Sequence, residues 1–288
     1  MQAAPSPLTQ SVITRLRAAG CVFAEDEAML LVSSARTPAD LDAMVDRRAA
    51  GVPLEHVVGW AEFCGLRIAV DPGVFVPRRR TEFLVSQAAA LARQAAGLPG
   101  EAGGLPGEAG ARQRTVVVDL CCGSGAVGAA LAAALHQVEL HAVDIDPAAA
   151  ACARRNVVAA GGRVYEGDLY EPLPAGLRGR VEILAANVPY VPTQEVRLLP
   201  AEARVHEARV ALDGGADGLE VLQRVAAAAA RWLAPGGHLL AETSERQAQR
   251  AVEIVALAGL NARVASSAEM NATVVIGTRP ARAGGPGD

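Results

Sequence analysis

Residues 115–135 read TVVVDLCCGSGAVGAALAAAL and contain the clearest structural signal in the chain. An apolar run, TVVVDL, leads into a loop with the pattern GxGxxG at Gly123, Gly125 and Gly128. The alanine-rich stretch that follows has the composition of a buried helix. Strand, glycine loop and helix in this order predict the first unit of a parallel α/β sheet with a ligand-binding turn.

The same alternation continues towards the C-terminus. VELHAVDID, RVYEGD, VEILAAN and GHLLAET read as strands separated by helical stretches, a pattern typical of a doubly wound parallel sheet. NARVASS and ATVVIGT flank AEMN and predict a closing antiparallel hairpin. Because ligands bind beyond the carboxyl ends of such strands, we expect the site where Asp144, Asp168 and Asn187 follow their strands.

The residues before the sheet predict a separate organisation. Helical periodicity up to about residue 50 gives way to short alternating runs broken by glycine and by Asp71-Pro72-Gly73, which read as a hairpin. A tandem GLPGEAG repeat cannot pack a core and is interpreted as a flexible insertion. The predicted division is a helical domain at 1–58, a β-hairpin connector at 59–76, an α/β domain at 77–280 with the repeat at 97–110, and a disordered tail at 281–288.

Composition excludes several classes of protein. All 27 basic residues are arginine, so a P-loop NTPase would lack its phosphate lysine and Schiff-base chemistry its amine. The net charge of -4 and the 3% aromatic content argue against nucleic acid as a direct partner.

Cysteine and histidine usage predicts no metal site and no disulfide framework. The five cysteines are odd in number and form no CxxC pair, and the five histidines show no metal spacing. No signal-like N-terminus or apolar run of about 20 residues is present, so we expect a cytoplasmic protein without a membrane anchor.

The acids around the glycine loop decide which cofactor is expected. Asp144 closes the second strand about 20 residues after the loop, where an acid would bind a ribose diol. Asp119 ends the first strand, where a pyrophosphate would meet an unfavourable negative charge and a cofactor with an ammonium and a sulfonium would be favoured. This arrangement resembles the class I S-adenosylmethionine-dependent methyltransferases, which have a Rossmann-like, mostly parallel sheet. That resemblance implies S-adenosylmethionine as the cofactor, with Asp144 on the ribose and Asp168 and Leu169 against the adenine. The cofactor-binding residues expected are Asp119, Cys121, Gly123, Gly125, Asp144, Ile145, Asp168, Leu169 and Asn187.

The tetrapeptide Asn187-Val188-Pro189-Tyr190 is the candidate catalytic segment. A planar amide nitrogen is a poor nucleophile because its lone pair is delocalised. The Asn187 side-chain oxygen and the carbonyl of Val188 would accept its two N–H hydrogens and aim the lone pair at a methyl group. Pro189 would hold the preceding residue extended, and Tyr190 would sandwich the acceptor. The segment resembles the NPPY motif of methyltransferases that act on adenine N6 or on the glutamine side-chain amide.

Three longer stretches are similar to the HemK/PrmC family of release-factor glutamine methyltransferases. GVPLEHVVGWAEFCGLRIAVDPGVFVPRRRTEFLV resembles that family's interdomain segment with its PRPxTE pattern, DLCCGSGAVGAALA its glycine loop, and ALDGGADGLEVLQRV its ALDGGxDGLxxxRxI motif. The resemblance implies a protein-(glutamine-N5) methyltransferase whose helical N-terminal domain recognises the substrate, a peptide-chain release factor with a Gly-Gly-Gln loop.

The chain departs from the family pattern at several positions. Val188 replaces a proline, Cys121 and Cys122 replace a Gly-Thr pair, and Arg79 and Arg80 stand where the family has proline and an acid. These changes suggest a divergent branch.

Two alternative functions remain open from the sequence: an adenine N6 methyltransferase that uses Arg78 to Arg80 on nucleic acid, and a non-catalytic S-adenosylmethionine-binding module. Arg78 to Arg80 are also consistent with a solvated helix start, and Glu207 reads more readily as a solvated loop acid than as a site residue.

Overall fold

A computed structural model describes residues 6–97 and 114–281. The predicted GLPGEAG insertion, apart from Gly97, and the predicted tail, apart from its first residue, lie outside the described residues. The helices are α1 Pro7–Ala18, α2 Ala24–Ser34, α3 Pro38–Ala49, α4 Leu54–Val58, α5 Glu82–Ala95, α6 Ala126–Ala134, α7 Pro147–Ala159, α8 Ala201–His206, α9 Glu220–Trp232 and α10 Ala248–Leu257. The strands are β1 Trp60–Phe63, β2 Leu66–Ala69, β3 Thr115–Leu120, β4 Val138–Asp144, β5 Arg163–Glu166, β6 Val181–Ala186, β7 Leu233–Thr243, β8 Asn261–Ser267 and β9 Ala272–Thr278.

The central sheet has the order β5-β4-β3-β6-β7-β9-β8. Strands β3 to β7 pair in parallel, whereas β9 runs antiparallel to both β7 and β8. The strand order reverses between β3 and β6, which is the switch point where ligands bind in open α/β sheets. The predicted class I methyltransferase fold, with its parallel sheet and C-terminal antiparallel hairpin, is therefore confirmed.

Strand residues alternate between two helical layers. Val117 of β3 packs with α5, α6 and α7 on one face, while its neighbours Val116 and Val118 pack with α9 and α10 on the other. Because successive strand side chains point to opposite faces, a strand that is buried on both faces must be apolar throughout. The run TVVVDL meets that requirement, which is why it could be recognised from the sequence.

The N-terminal helices form their own apolar cluster, built mainly from α1, α2 and α3. Helix α3 begins as its sequence predicts, because the Thr37 hydroxyl accepts the Asp40 N–H at 3.1 Å and proline occupies the first helical position. Arg48 of α3 is buried between Glu27 of α2 and Glu202 of α8, with nitrogen–oxygen distances of 2.6 Å to each. This ion pair connects the helical cluster to the α/β domain. No helix among the described residues is long and apolar enough to cross a membrane.

Asp119 anchors the start of helix α6. Its side chain is fully buried, and Oδ2 accepts the backbone N–H of Gly128 at 2.8 Å, while Oδ1 has no partner within the described chain. Burial raises the pKa of Asp119 to about 7, with the nearby negative charge of Asp144 acting in the same direction. Gly125 completes the turn at a left-handed φ of 76°, where a Cβ would collide with Val157 and Ala153 of α7.

The raised pKa of Asp119 predicts a pH-dependent stability. The folded protein holds this proton more tightly than the unfolded chain, whose pKa is near 3.8, so the free energy of unfolding decreases as pH rises from about 4 to 7. Asp119→Asn carries no such proton. Between pH 5 and 8, the free energy of unfolding of the variant, measured in urea, should rise relative to that of the wild type by on the order of 2 kcal/mol. The exposed control Asp26→Asn should show no comparable gain. An Asp119→Asn difference that is independent of pH would contradict the assignment.

Candidate active site

One cavity of about 420 Å³ opens at the carboxyl ends of the parallel strands. Its wall combines residues that follow β3, β4, β5 and β6 with residues from the segment before α5 and from the region around α8. The predicted site residues that line it are Cys121, Gly123, Asp144, Ile145, Asp168, Leu169, Asn187, Val188, Pro189 and Tyr190. Asp119 and Gly125 are not in the wall; they lie behind it, where they hold α6 and α7 in place. The volume is within the range of pockets that bind cofactors.

Asp144 and the glycine loop form one end of the cavity. Oδ2 of Asp144 accepts the N–H of Gly123 at 2.8 Å, and Oδ1 accepts the N–H of Asp146 at 2.9 Å. Burial raises the pKa of this carboxyl, while these backbone N–H groups act in the opposite direction. Each oxygen keeps free lone-pair capacity. A fixed carboxylate with two available acceptor positions fits a ribose diol.

Cys121 and Cys122 bring two thiols to the same end. Cys121 has a left-handed φ of 55°, a conformation that usually favours glycine, and both residues line the cavity. Burial raises the pKa of each thiol, and the charges of Asp119 and Asp144 raise it further. These cysteines are therefore neutral thiols that form part of the wall and are poor nucleophiles.

Asp168 is held by an arginine that the sequence reading did not assign to the site. Arg224 of α9 also lines the cavity, and its Nη2 lies 2.5 Å from Oδ2 of Asp168. Leu169, at a left-handed φ of 50°, is buried beside it. Arg224 lies in the ALDGGADGLEVLQRV stretch, one position after the arginine of the ALDGGxDGLxxxRxI motif, where this chain has Gln223. Only the folded chain brings it to Asp168.

The Asn187–Tyr190 segment forms the other end of the cavity. It leaves β6 at Ala186 in an irregular conformation, and no cis peptide bond occurs in the described chain. Neither the Asn187 side-chain amide nor the Val188 carbonyl has a hydrogen-bond partner among the described residues. Val188 is 2% exposed as a whole residue, so the valine that replaces the family's proline is accommodated in the core. Two acceptor oxygens of this segment thus remain free at the cavity.

Glycines of the segment 211–220 support this loop from behind. A Cβ at Gly214 would lie 2.5 Å from the carbonyl oxygen of Pro189 and 2.8 Å from the Cα of Tyr190, and a Cβ at Gly218 would collide with the Tyr190 carbonyl. Backbone packs on backbone at both positions, which only glycine permits. The ALDGGADG stretch is therefore a support for the Asn187–Tyr190 loop.

Buried carboxylates anchor two of the three arginines before α5. Arg78 pairs with Glu207 at 2.5 Å, and Arg80 pairs with Glu242 at 2.8 Å. Both arginines line the cavity, although the Arg80 side chain is still 43% exposed; Arg79 is exposed and is not part of the cavity wall. Glu207 is buried, and its Oε1 also accepts the Val76 N–H at 3.2 Å. The prediction that Glu207 is a solvated loop acid was wrong. Its partner Arg78 is 129 positions away in the chain, so the sequence around Glu207 does not indicate that it is buried.

Comparison with known proteins identifies relatives of this chain. Residues 108–218 match the family model of the methyltransferase small domain. The chain is 38% identical over 208 residues to the release factor glutamine methyltransferase of Geobacter sulfurreducens, covering 72% of this chain and 66% of that protein, just under two thirds. It is 35% identical over 213 residues to the Streptomyces coelicolor enzyme of the same name, covering 73% and 70%.

A third relative is the 4-amino-L-phenylalanine/4-methylamino-L-phenylalanine methyltransferase of Streptomyces pristinaespiralis, 34% identical over 203 residues, covering 70% of this chain and 65% of that protein. The names of all three relatives describe methyltransferases, and the residues that line the cavity fit S-adenosylmethionine at its glycine-loop end. The chain belongs to the release factor glutamine methyltransferase family of S-adenosylmethionine-dependent enzymes.

Proposed function

We propose that this protein transfers a methyl group from S-adenosylmethionine to the side-chain amide nitrogen of a glutamine in the Gly-Gly-Gln loop of a peptide-chain release factor. The observation that carries this proposal is the pair of free acceptor oxygens at the Asn187 side chain and the Val188 carbonyl. A primary amide offers two N–H donors, and two acceptors at one wall match them. The names of the Geobacter and Streptomyces coelicolor relatives support the same acceptor.

The residues at the Asp144 and glycine-loop end of the cavity would bind and orient the cofactor. Asp144 would accept the ribose hydroxyls, the loop around Gly123 would allow close approach of the cofactor, and Asp168 and Leu169 would contact the adenine. Asp119 and Gly125 act indirectly by shaping the loop. S-adenosylmethionine supplies an electrophilic methyl group on its sulfonium.

The acceptor end makes the amide nitrogen reactive by alignment. Hydrogen bonds to Asn187 and to the Val188 carbonyl fix the plane of the amide, so that its lone pair faces the methyl group. The Tyr190 ring covers the amide and keeps water away. The protonated amide formed on transfer is strongly acidic and loses its proton to solvent as the product leaves the cavity, so this chemistry requires no base with a tuned pKa.

The helical domain at 1–58 is proposed to recognise the protein substrate. It is connected to the cavity through Arg48, because Glu202, which pairs with Arg48, also lines the cavity. Substrate bound to the helical domain would therefore lie beside the cavity.

Transfer of labelled methyl from S-adenosylmethionine to purified release factors tests the proposed function. We expect label in the wild-type release factor and none when the glutamine of its Gly-Gly-Gln loop is changed to alanine. Label that persists without this glutamine, or that appears only in DNA or RNA supplied in parallel, would contradict the proposal. The second outcome would indicate adenine N6 methylation.

The supporting role of Gly214 yields a second prediction. In Gly214→Ala the new Cβ must displace the Pro189–Tyr190 backbone, so kcat should fall by about tenfold or more, with a loss of unfolding free energy of about 1–3 kcal/mol. Calorimetry should show the cofactor affinity nearly unchanged, because the glycine loop is untouched. Gly176→Ala is the matched control, since nothing lies within 4 Å of its added Cβ. A Gly214→Ala variant with wild-type kcat would show that the loop tolerates displacement.

A further inference from the structure

The hydroxyl of Tyr190 has both of its hydrogen-bonding roles filled. It donates to Oε1 of Glu242 at 2.9 Å and accepts from Nη2 of Arg80 at 2.6 Å. A phenol has one hydrogen to donate, and its oxygen accepts readily in the ring plane. Two partners at the hydroxyl therefore restrict rotation of the whole side chain. The guanidinium of Arg80 also lies over the ring, 5.9 Å from its centroid.

Glu242 is a rigid anchor for this arrangement. Its side chain is 3% exposed and stands near the carboxyl end of β7, which pairs with β6 on one side and β9 on the other. Oε1 also accepts from Nε of Arg80 at 2.8 Å, and Oε2 accepts from the Thr81 hydroxyl at 2.6 Å. Both carboxylate oxygens are thus used, and the charge is paired with Arg80. A buried carboxylate with these partners is held in one orientation.

The environment of Tyr190 favours a positioning function over an acid–base one. Burial and the neighbouring Glu242 carboxylate raise the pKa of Tyr190, and these outweigh the opposing effect of Arg80. The phenol therefore keeps its proton at neutral pH and remains the donor to Glu242. The face of the ring is the part of Tyr190 left to contact an acceptor, since the Tyr190 backbone carbonyl is occupied by Nε2 of Gln247 at 3.0 Å.

We propose that Glu242 and Arg80 are positioning residues for methyl transfer, which fix the plane of the Tyr190 ring against the acceptor amide. This inference rests on the proposed function, because it assigns a purpose to the ring that covers the amide. Arg80 stands at one of the positions where the chain departs from its family's pattern, and it supplies two of the bonds in this network. The departure therefore contributes to the acceptor end of the site.

A double-mutant cycle between Tyr190→Phe and Arg80→Met tests the proposal. Tyr190→Phe keeps the ring and removes only the hydroxyl, and Arg80→Met keeps the length and removes the donors. We expect each change to lower kcat at saturating release factor by about tenfold, and the double variant to be no slower than either single one. Cofactor affinity should stay unchanged. Glu242→Gln should resemble the single variants, and Arg80→Lys should recover part of the loss.

Controls separate this role from general damage. Tyr165 lies on β5, outside the cavity wall, and its hydroxyl is 3.0 Å from Nδ1 of His141 on β4; Tyr165→Phe removes this hydroxyl. Arg250→Met removes an exposed cation that pairs with Glu253. Both variants should keep the wild-type kcat. Additive losses in the double variant would overturn the proposal, as would a raised KM for the release factor with kcat unchanged. If Arg80→Met does not fold, Arg80→Lys replaces it in the cycle.

A failure of the proposed function would be distinguishable. It would appear as wild-type protein that transfers no methyl to any release factor. The same four proteins can then be compared by their urea unfolding midpoints, which report the hydrogen-bond network without turnover. Non-additive shifts of the midpoint would confirm that the hydrogen bond between Arg80 and the Tyr190 hydroxyl holds the ring in place, and additive shifts would overturn this.

Discussion

The parallel register of β3, β4 and β6 is the constraint on which the site depends. Leu120 of β3 pairs with Val143 of β4 and with Ala186 of β6. The next residues along the chain, Cys121, Asp144 and Asn187, therefore lie at one level at this edge of the sheet. Because parallel strands end at the same edge, a cofactor held at β3 and β4 has its reactive end directed towards whatever follows β6. The glycine loop and the Asn187–Tyr190 segment become neighbours without any further adjustment.

Local patterns explain why much of this could be predicted from the sequence. A strand buried on both faces must be apolar, a tight strand-to-helix turn needs glycine, and a helix start favours threonine followed by proline. TVVVDL, the GxGxxG loop and Thr37-Pro38 each show such a requirement within a few residues. Ten of the expected site residues line the cavity for a related reason, since they lie at or within a few residues of the carboxyl ends of strands. Asp119 is the penultimate residue of β3, and its side chain bonds the start of α6. Periodicity alone does not settle which side of a strand end faces a ligand.

The contacts that hold the site together were not predictable in this way. Arg80 and Glu242 are 162 positions apart, Arg78 and Glu207 are 129 apart, and Asp168 and Arg224 are 56 apart. From the sequence alone, an arginine beside a helix start is predicted to be solvated, because its buried partner is not yet known. The same holds for Gly214 and Gly218, whose purpose is visible only where the backbone of Tyr190 packs on them. Long-range pairing of charges and close backbone approach are properties of the folded chain, and no short stretch of sequence encodes them alone.

Asn187 is proposed to align the acceptor and to contribute little to holding the cofactor. The most direct measurement is the rate of methyl transfer to release factor by Asn187→Ala, taken together with its cofactor affinity from calorimetry. We predict a fall in kcat of about a hundredfold or more, with S-adenosylmethionine still bound at close to wild-type affinity. Turnover near the wild-type rate, or a loss of cofactor binding that accounts for the whole loss of activity, would contradict it.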